Sequence, residues 1–458
     1  SGGREIMNDL QIALLSWVFI GLFIALLPKL RGRMSVGLPL AYFAGLFLIH
    51  WPGAALYLVD SYYYYNPVVI REGFYLTTSG VVAFTLGLFA VSLLHKRLSF
   101  ETIKTGHHAA THTPVETNKL AKHLFYTGLF AYFVLQPLLG GLPTISAVVS
   151  GMVTLSVVGV CFGIKGALHV GNKKVFRRWL MVAFMFPFIT LLNAAFVGYG
   201  VHNMIAIFAF TLALIKFRLR IAFILLIISY LAMSFYVTYM RDRTDYREPV
   251  WQQQASYMDR VDKISNMFSD FEFFDPGNTD HLMHIDIRLN QNHLVGSSIY
   301  YLEQGNQRFA GGETIINAII ALIPRIIWPD KPKVGGGGDI VTNYTGIEFA
   351  AGTSVGAGQI LEFYVNFGRG GVLVGMFVLG MLVGLFDIRA ASSIRTGDHR
   401  SFILWFLPGL GFLQAGGNLI EVTTTVGASV GTAMIAIFIS KKYMQKKSTT
   451  SMDPIKLI

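Results

Sequence analysis

Charge is what this sequence has least of. Of its 458 residues 14% are Asp, Glu, Lys or Arg and 53% are hydrophobic, with a mean hydropathy of +0.52. A soluble globule carries roughly 25% charged residues, so the composition excludes one and points to an integral membrane protein. Cysteine is nearly absent: Cys161 stands alone in an apolar run, which excludes an internal disulfide and leaves the redox compartment unread. The four glycines at 335–338 are followed by no Gly-Lys-Ser/Thr, so they are not a nucleotide loop. Their N–H groups can still approach an anion closely, and a plain hinge is the competing reading. No internal repeat is visible. Ser1–Arg4 read as a tag remnant ahead of a start-like Met7, with no cleavable signal peptide after it.

What is abundant is long apolar runs. A span needs about 20 mostly apolar residues, and 11 candidates are expected, at 9–28, 36–58, 74–94, 122–139, 146–164, 179–197, 202–215, 221–239, 371–386, 401–419 and 422–440. The net charge of +11 would suggest nucleic acid in a soluble protein, but here it marks loops. Lys29, Arg31 and Arg33, then Lys96 and Arg97, then Lys173–Arg178, Lys216–Arg220, Arg389–Arg400 and Lys441–Lys447 occupy alternate connections, which places them all in the cytoplasm. The expected fold is an all-α polytopic membrane protein. Residues 1–239 hold eight helices, 240–370 form one large extracytoplasmic loop, and 371–458 hold three helices and a cytoplasmic tail.

The chemistry concentrates in 240–370, which holds 16 of the 26 acidic residues but 11 of the 37 basic ones. A segment this long reads as a folded functional element. Within it 315–328 is apolar but too short to span, which suits a re-entrant or interfacial helix. Arg288, Arg325, Lys331, Lys333 and Arg369 lie outside the membrane, where the orientation rule disfavours cations, and suit a lipid-linked phosphate or diphosphate. Arg241, Arg243 and Arg247 alternate with Asp242 and Asp245, as locally paired charges do. His281, His284, Asp286 and His293 form the densest titratable cluster; two histidines at i and i+3 are a weak metal signal, and a general base is the alternative use. Glu362 sits among apolar neighbours before the ninth span, where a carboxylate is desolvated or pairs with Arg369. Tyr62–Tyr65 read as a membrane-interface aromatic belt or a sugar-stacking surface. Gly371, Gly375, Gly380 and Gly384 give the ninth span small faces for close helix packing.

Three stretches, GSSIYYLEQGNQRF, IPRIIWPDKPKVGG and GQILEFYVNFGRGG, together with the layout of one large loop before the last spans, resemble the Wzy-type polymerases of bacterial O-antigen and exopolysaccharide repeat units. Arg325 to Gly336 also fits the Arg-x10-Gly spacing of such loops, while the corresponding motif in an earlier periplasmic loop is absent. The resemblance implies a glycosyltransferase-C-like membrane enzyme of the bacterial inner membrane. It would transfer a growing glycan from undecaprenyl diphosphate to a new lipid-linked repeat unit, working beside a flippase and a chain-length regulator. On this expectation Arg288, Arg325, Lys331, Lys333 and Arg369 hold the diphosphate, and Asp286, His284, His293 or Glu362 supplies the base. No Asp-x-Asp motif stands out in the loop, so transfer is expected to need no metal and no cofactor, and direct displacement assisted by one base would invert the anomeric centre. The alternatives are an O-antigen ligase-type transferase, favoured by a histidine base, and a flippase, which predicts internal repeats and intramembrane charges.

Overall fold

The computed structural model describes residues 2–59, 62–94, 114–140, 143–216, 218–252, 256–323, 327–328, 330–331, 335–349 and 355–440. Every element among them is helical. Eight helical segments are long and apolar enough to cross a membrane: Asn8–Leu30, Leu38–Leu58, Pro67–Leu93, Ile145–Val170, Lys173–Ala194, Leu219–Trp251, Gln359–Thr396 and Leu419–Ile439. The chain is therefore an all-α polytopic membrane protein. The other three expected spans also fall on helix. One covers Pro114–Phe130, a π-helical turn and Gln136–Leu139. Another matches Gly198–Leu214, and the third matches the 13-residue His399–Gly411, which gives way to non-helical backbone at 412–418.

We number the helices α1 Gly2–Leu30, α2 Leu38–Ala55, α3 Pro67–Leu93, α4 Pro114–Phe130, α5 Pro143–Val153, α6 Leu155–Val170, α7 Lys173–Ala194, α8 Gly198–Leu214 and α9 Leu219–Trp251. The short helices α10 Tyr257–Ser269, α11 Thr279–Leu289, α12 Asn292–Glu303, α13 Glu313–Ala321 and α14 Gly337–Thr345 follow, then α15 Gln359–Thr396, α16 His399–Gly411 and α17 Leu419–Ile439.

Local sequence sets these boundaries. Asn66 caps α3 by accepting from Val68 N at 2.9 Å, and Pro67 follows where a missing N–H costs nothing. The start of α2 is held from a distance: buried Asp387 on α15 accepts from Val36 N, Leu38 N and the Ser35 hydroxyl, and pairs with Arg33 at 2.9 Å. The α15–α3 contact uses the expected small residues, since a Cβ on Gly380 would lie 2.1 Å from Phe84 O. α15 is kinked at Phe367 and Gly368 (φ 63°), so its first eight residues form a separate, wholly buried helical piece.

Two expectations about the 240–370 segment change in detail. α9 runs on to Trp251, tied to the end of α7 by Tyr239, Tyr246 and Trp251 donating to Ala195 O, Leu191 O and Ala194 O. Among the described residues of the apolar run at 315–328 the helix ends at Ala321, in keeping with Pro324 disfavouring helical backbone in the residue before it; 324–326 lie outside the described residues.

Candidate functional site

α11 is capped by Asn278, which accepts from Asp280 N at 2.9 Å. Its spacing puts Leu282, Ile285, Asp286 and Leu289 on one buried face. Asp286 is thus a carboxylate in an apolar stripe, with no exposed surface. It is satisfied by three donors: the hydroxyls of Tyr57 at 2.8 Å and Tyr62 at 3.0 Å reach Oδ2, and the Asn290 amide reaches Oδ1. The chain of bonds continues inward. Asn292 Nδ2 donates to Asn290 Oδ1 and to His50 O, both at 2.8 Å, and His50 Nδ1 meets Asn292 Oδ1 at 2.8 Å. Only glycine at position 53 leaves room for this, since a Cβ there would lie 2.3 Å from that of Asn290. Burial pushes the Asp286 pKa up, against the three hydrogen bonds that favour its anion.

Tyr65 connects this network to the surface. Its N–H donates to the Tyr57 hydroxyl at 3.0 Å, and its ring meets the His293 imidazole edge-to-face with centroids 3.7 Å apart. His293 Nδ1 is buried without a hydrogen-bond partner, and burial lowers the ring's pKa from 6.5 to about 4, so the imidazole is neutral at pH 7. The Tyr65 hydroxyl is held up at about 12, by burial first, with Asp286 raising it and Arg288 lowering it.

Arg288 lies on the same side. Its pKa is lowered by burial and then by the neighbouring Arg243 guanidinium. Among the described residues neither arginine has a carboxylate partner. Of the two acids that the sequence offered to Arg243, Asp242 is taken by Arg241 at 2.7 Å, which also binds Glu272, and Asp245 forms no ion pair among the described residues. Two like charges placed together are repulsive, and a bidentate oxyanion relieves that repulsion.

The remaining expected residues lie apart from this constellation. His284, half buried with Nδ1 unpartnered, faces Asp280, His281 and Glu272, and burial lowers its pKa. His281 accepts from Asp275 N and contacts Glu272 at 3.1 Å, which gives it a structural task. Glu362 is fully buried in a second polar network. Its Oε2 accepts from Leu419 N at 2.6 Å, pinning the start of α17, while Gln359 bridges Tyr42 to Gln414 O and Gly417 O. Arg369 pairs with Glu72 and Glu303 at 3.4 and 3.5 Å, not with Glu362. Lys331 Nζ donates to Ala321 O and Ile323 O, closing the end of α13. Arg325 and Lys333 lie outside the described residues.

The tyrosine run divides: Tyr62 and Tyr65 join the network, while Tyr63 and Tyr64 are exposed. The glycine run divides too. Gly337 and Gly338 open α14, and a Cβ on Gly337 would lie 2.3 Å from Val355 O. Half of the expected hinge is therefore helix held by a close backbone contact. Sequence reasoning missed Tyr57, Asn290 and Asn292; for the two asparagines the only local signal was the polar run after Asp286. It named Tyr62 and Tyr65, as an aromatic belt or a sugar-stacking surface, and Arg243, as a locally paired charge, but not as partners in this site.

The fold and this site define a polytopic helical membrane protein that anchors a segment between its spans through a buried, hydrogen-bonded carboxylate. The family described as a domain of unknown function (DUF8712) matches residues 86–397, and the chain belongs to it. His50, Tyr57, Tyr62 and Tyr65 precede that matched region, which contains Asp286, Arg288, Arg243 and His293. No curated protein and no solved structure matches the chain.

Proposed function

We propose that this protein is a membrane glycosyltransferase of the repeat-unit polymerase type, with 11 spans in the bacterial inner membrane and the 240–370 segment on the periplasmic side. The observation that carries the reading is the pair of guanidiniums, Arg243 and Arg288, without carboxylate partners among the described residues; Arg288 acts on Tyr65, whose ring packs against the neutral imidazole of His293. The substrates are undecaprenyl-diphosphate-linked oligosaccharides. Arg243 and Arg288 hold the diphosphate and stabilise the charge that grows as it leaves. The His293 imidazole takes the proton of the acceptor hydroxyl as its oxygen attacks the anomeric carbon. The bond to the diphosphate breaks on the opposite face, so the anomeric centre inverts and the carrier departs as a lipid diphosphate. Asp286 has no exposed surface and acts as a positioning residue, fixing Tyr57 and Tyr62 and, through Tyr57, the backbone of Tyr65 under His293.

The half-buried His293 also favours a second reading, in which the same chemistry passes the glycan to a lipid A core. Purified protein given synthetic lipid-linked repeat units separates the outcomes. A ladder of longer lipid-linked glycans supports polymerisation, transfer only to added lipid A core supports ligation, and no transfer to either acceptor refutes the glycosyltransferase reading.

A further inference from the structure

Well away from the Asp286 network, α4 carries a cleft of about 510 Å³ lined by Lys119, Lys122, His123, Tyr126, Thr127 and Phe130. Their spacing of three and four residues places them on one helix face. At 1.5 Å per residue, the stripe runs from the two lysines to Phe130 over roughly 16 Å. Chemistry changes in order along it. The lysines are exposed and among the described residues have no carboxylate partner. Then come Thr127 and the 63% exposed ring of Tyr126, and then Phe130, which is 54% exposed; Phe133, 38% exposed, follows in the π-helical turn beyond the residues that line the cleft. The His123 ring faces the backbone of Ile439, so the last turn of α17 stands beside the cleft. A plain lysine flank at a membrane surface needs no recess under it and no aromatic track leading away from it. A phospholipid has this order of parts: an anionic phosphate, a polar glycerol and an apolar chain.

We propose that this cleft binds one anionic phospholipid, with its phosphate on Lys119 and Lys122 and an acyl chain along Tyr126, Phe130 and Phe133. The site is independent of the glycan chemistry, so its test is one of binding. Wild-type protein and the Lys119→Gln/Lys122→Gln variant are placed in nanodiscs of phosphatidylcholine with a minority of phosphatidylglycerol. Native mass spectrometry after release then counts the retained lipids. Each lysine near an anionic lipid contributes about fivefold in affinity, so the double variant should lose its preference for phosphatidylglycerol by roughly thirtyfold. Both lysines are exposed, so its melting temperature should match the wild type. Equal phosphatidylglycerol retention by both proteins overturns the proposal. So does displacement of the lipid by millimolar inorganic phosphate, which would make this a free-anion site, or by undecaprenyl diphosphate, which would make it a substrate entry.

Discussion

Replacing His293 with Phe isolates the cost of burying a titratable ring. The ring packs edge-to-face on Tyr65 and its Nδ1 makes no hydrogen bond, so His293→Phe keeps the packing and removes only the proton site. The folded pKa is about 4 against an ordinary 6.5, so between those values the unfolded chain binds more protons than the native one. Stability should then fall as pH drops from 6.5 towards 4, with the loss complete below the folded value. At 1.36 kcal/mol per unit, a shift of that size corresponds to about 3 kcal/mol, or about 2 after screening by the part of the ring open to solvent. Asp286 acts in the opposite sense. Its pKa is raised, so its own contribution is present near pH 3.8 and declines as pH rises, which offsets part of the effect at the acid end. The assay is the melting temperature of purified protein from pH 4 to 8 at a fixed scan rate. Wild type should lose several degrees more than His293→Phe on acidification. Parallel curves for the two proteins would refute the buried neutral imidazole.

Asp286→Asn keeps the volume but turns an amide donor towards the Asn290 amide. It should cost about 1–3 kcal/mol and Asp286→Ala more, read as lowered melting temperatures; an unchanged melt for both would dissolve the network argument. Arg243→Ala and Arg288→Ala should each slow glycan transfer by roughly ten- to a hundredfold, with Lys restoring little because the fork is lost. Wild-type polymer length in both Ala variants at normal expression would end their assignment to the diphosphate. Gly337→Ala meets Val355 O whereas a Cβ on Gly336 meets open space, so only the first should lower activity and stability, and equal effects would restore the hinge reading. Cysteines introduced at Ser256 and Ser448 should label from outside the cell and not label, respectively, against the buried Cys161 background; the reverse pattern overturns the orientation.

Much of the architecture was legible from hydropathy, because transfer of apolar residues into lipid is additive along the chain and needs no partner. The runs at 9–28, 36–58 and 422–440 match the observed membrane-crossing segments within about three residues at each end. Asp286, Arg288 and His293 were also recognisable, as charged or titratable residues in unusual company. Their partners were not. Tyr57 and Tyr62 lie 229 and 224 residues from Asp286 in sequence, and His50 is 242 from Asn292. Charge pairing was decided the same way. Sequence alternation offered Asp242 to Arg243, but Arg241 reached both Asp242 and Glu272 across the turn after α10, leaving Arg243 beside Arg288. Arg369 found Glu72 on α3 in place of its near neighbour Glu362, which turned inward to hold the start of α17. The sequence by itself determined which segments are apolar enough for the membrane. Which polar groups satisfy one another was decided only by the tertiary structure, because each buried donor and acceptor competes for partners that folding, and not chain order, brings within 3 Å or so.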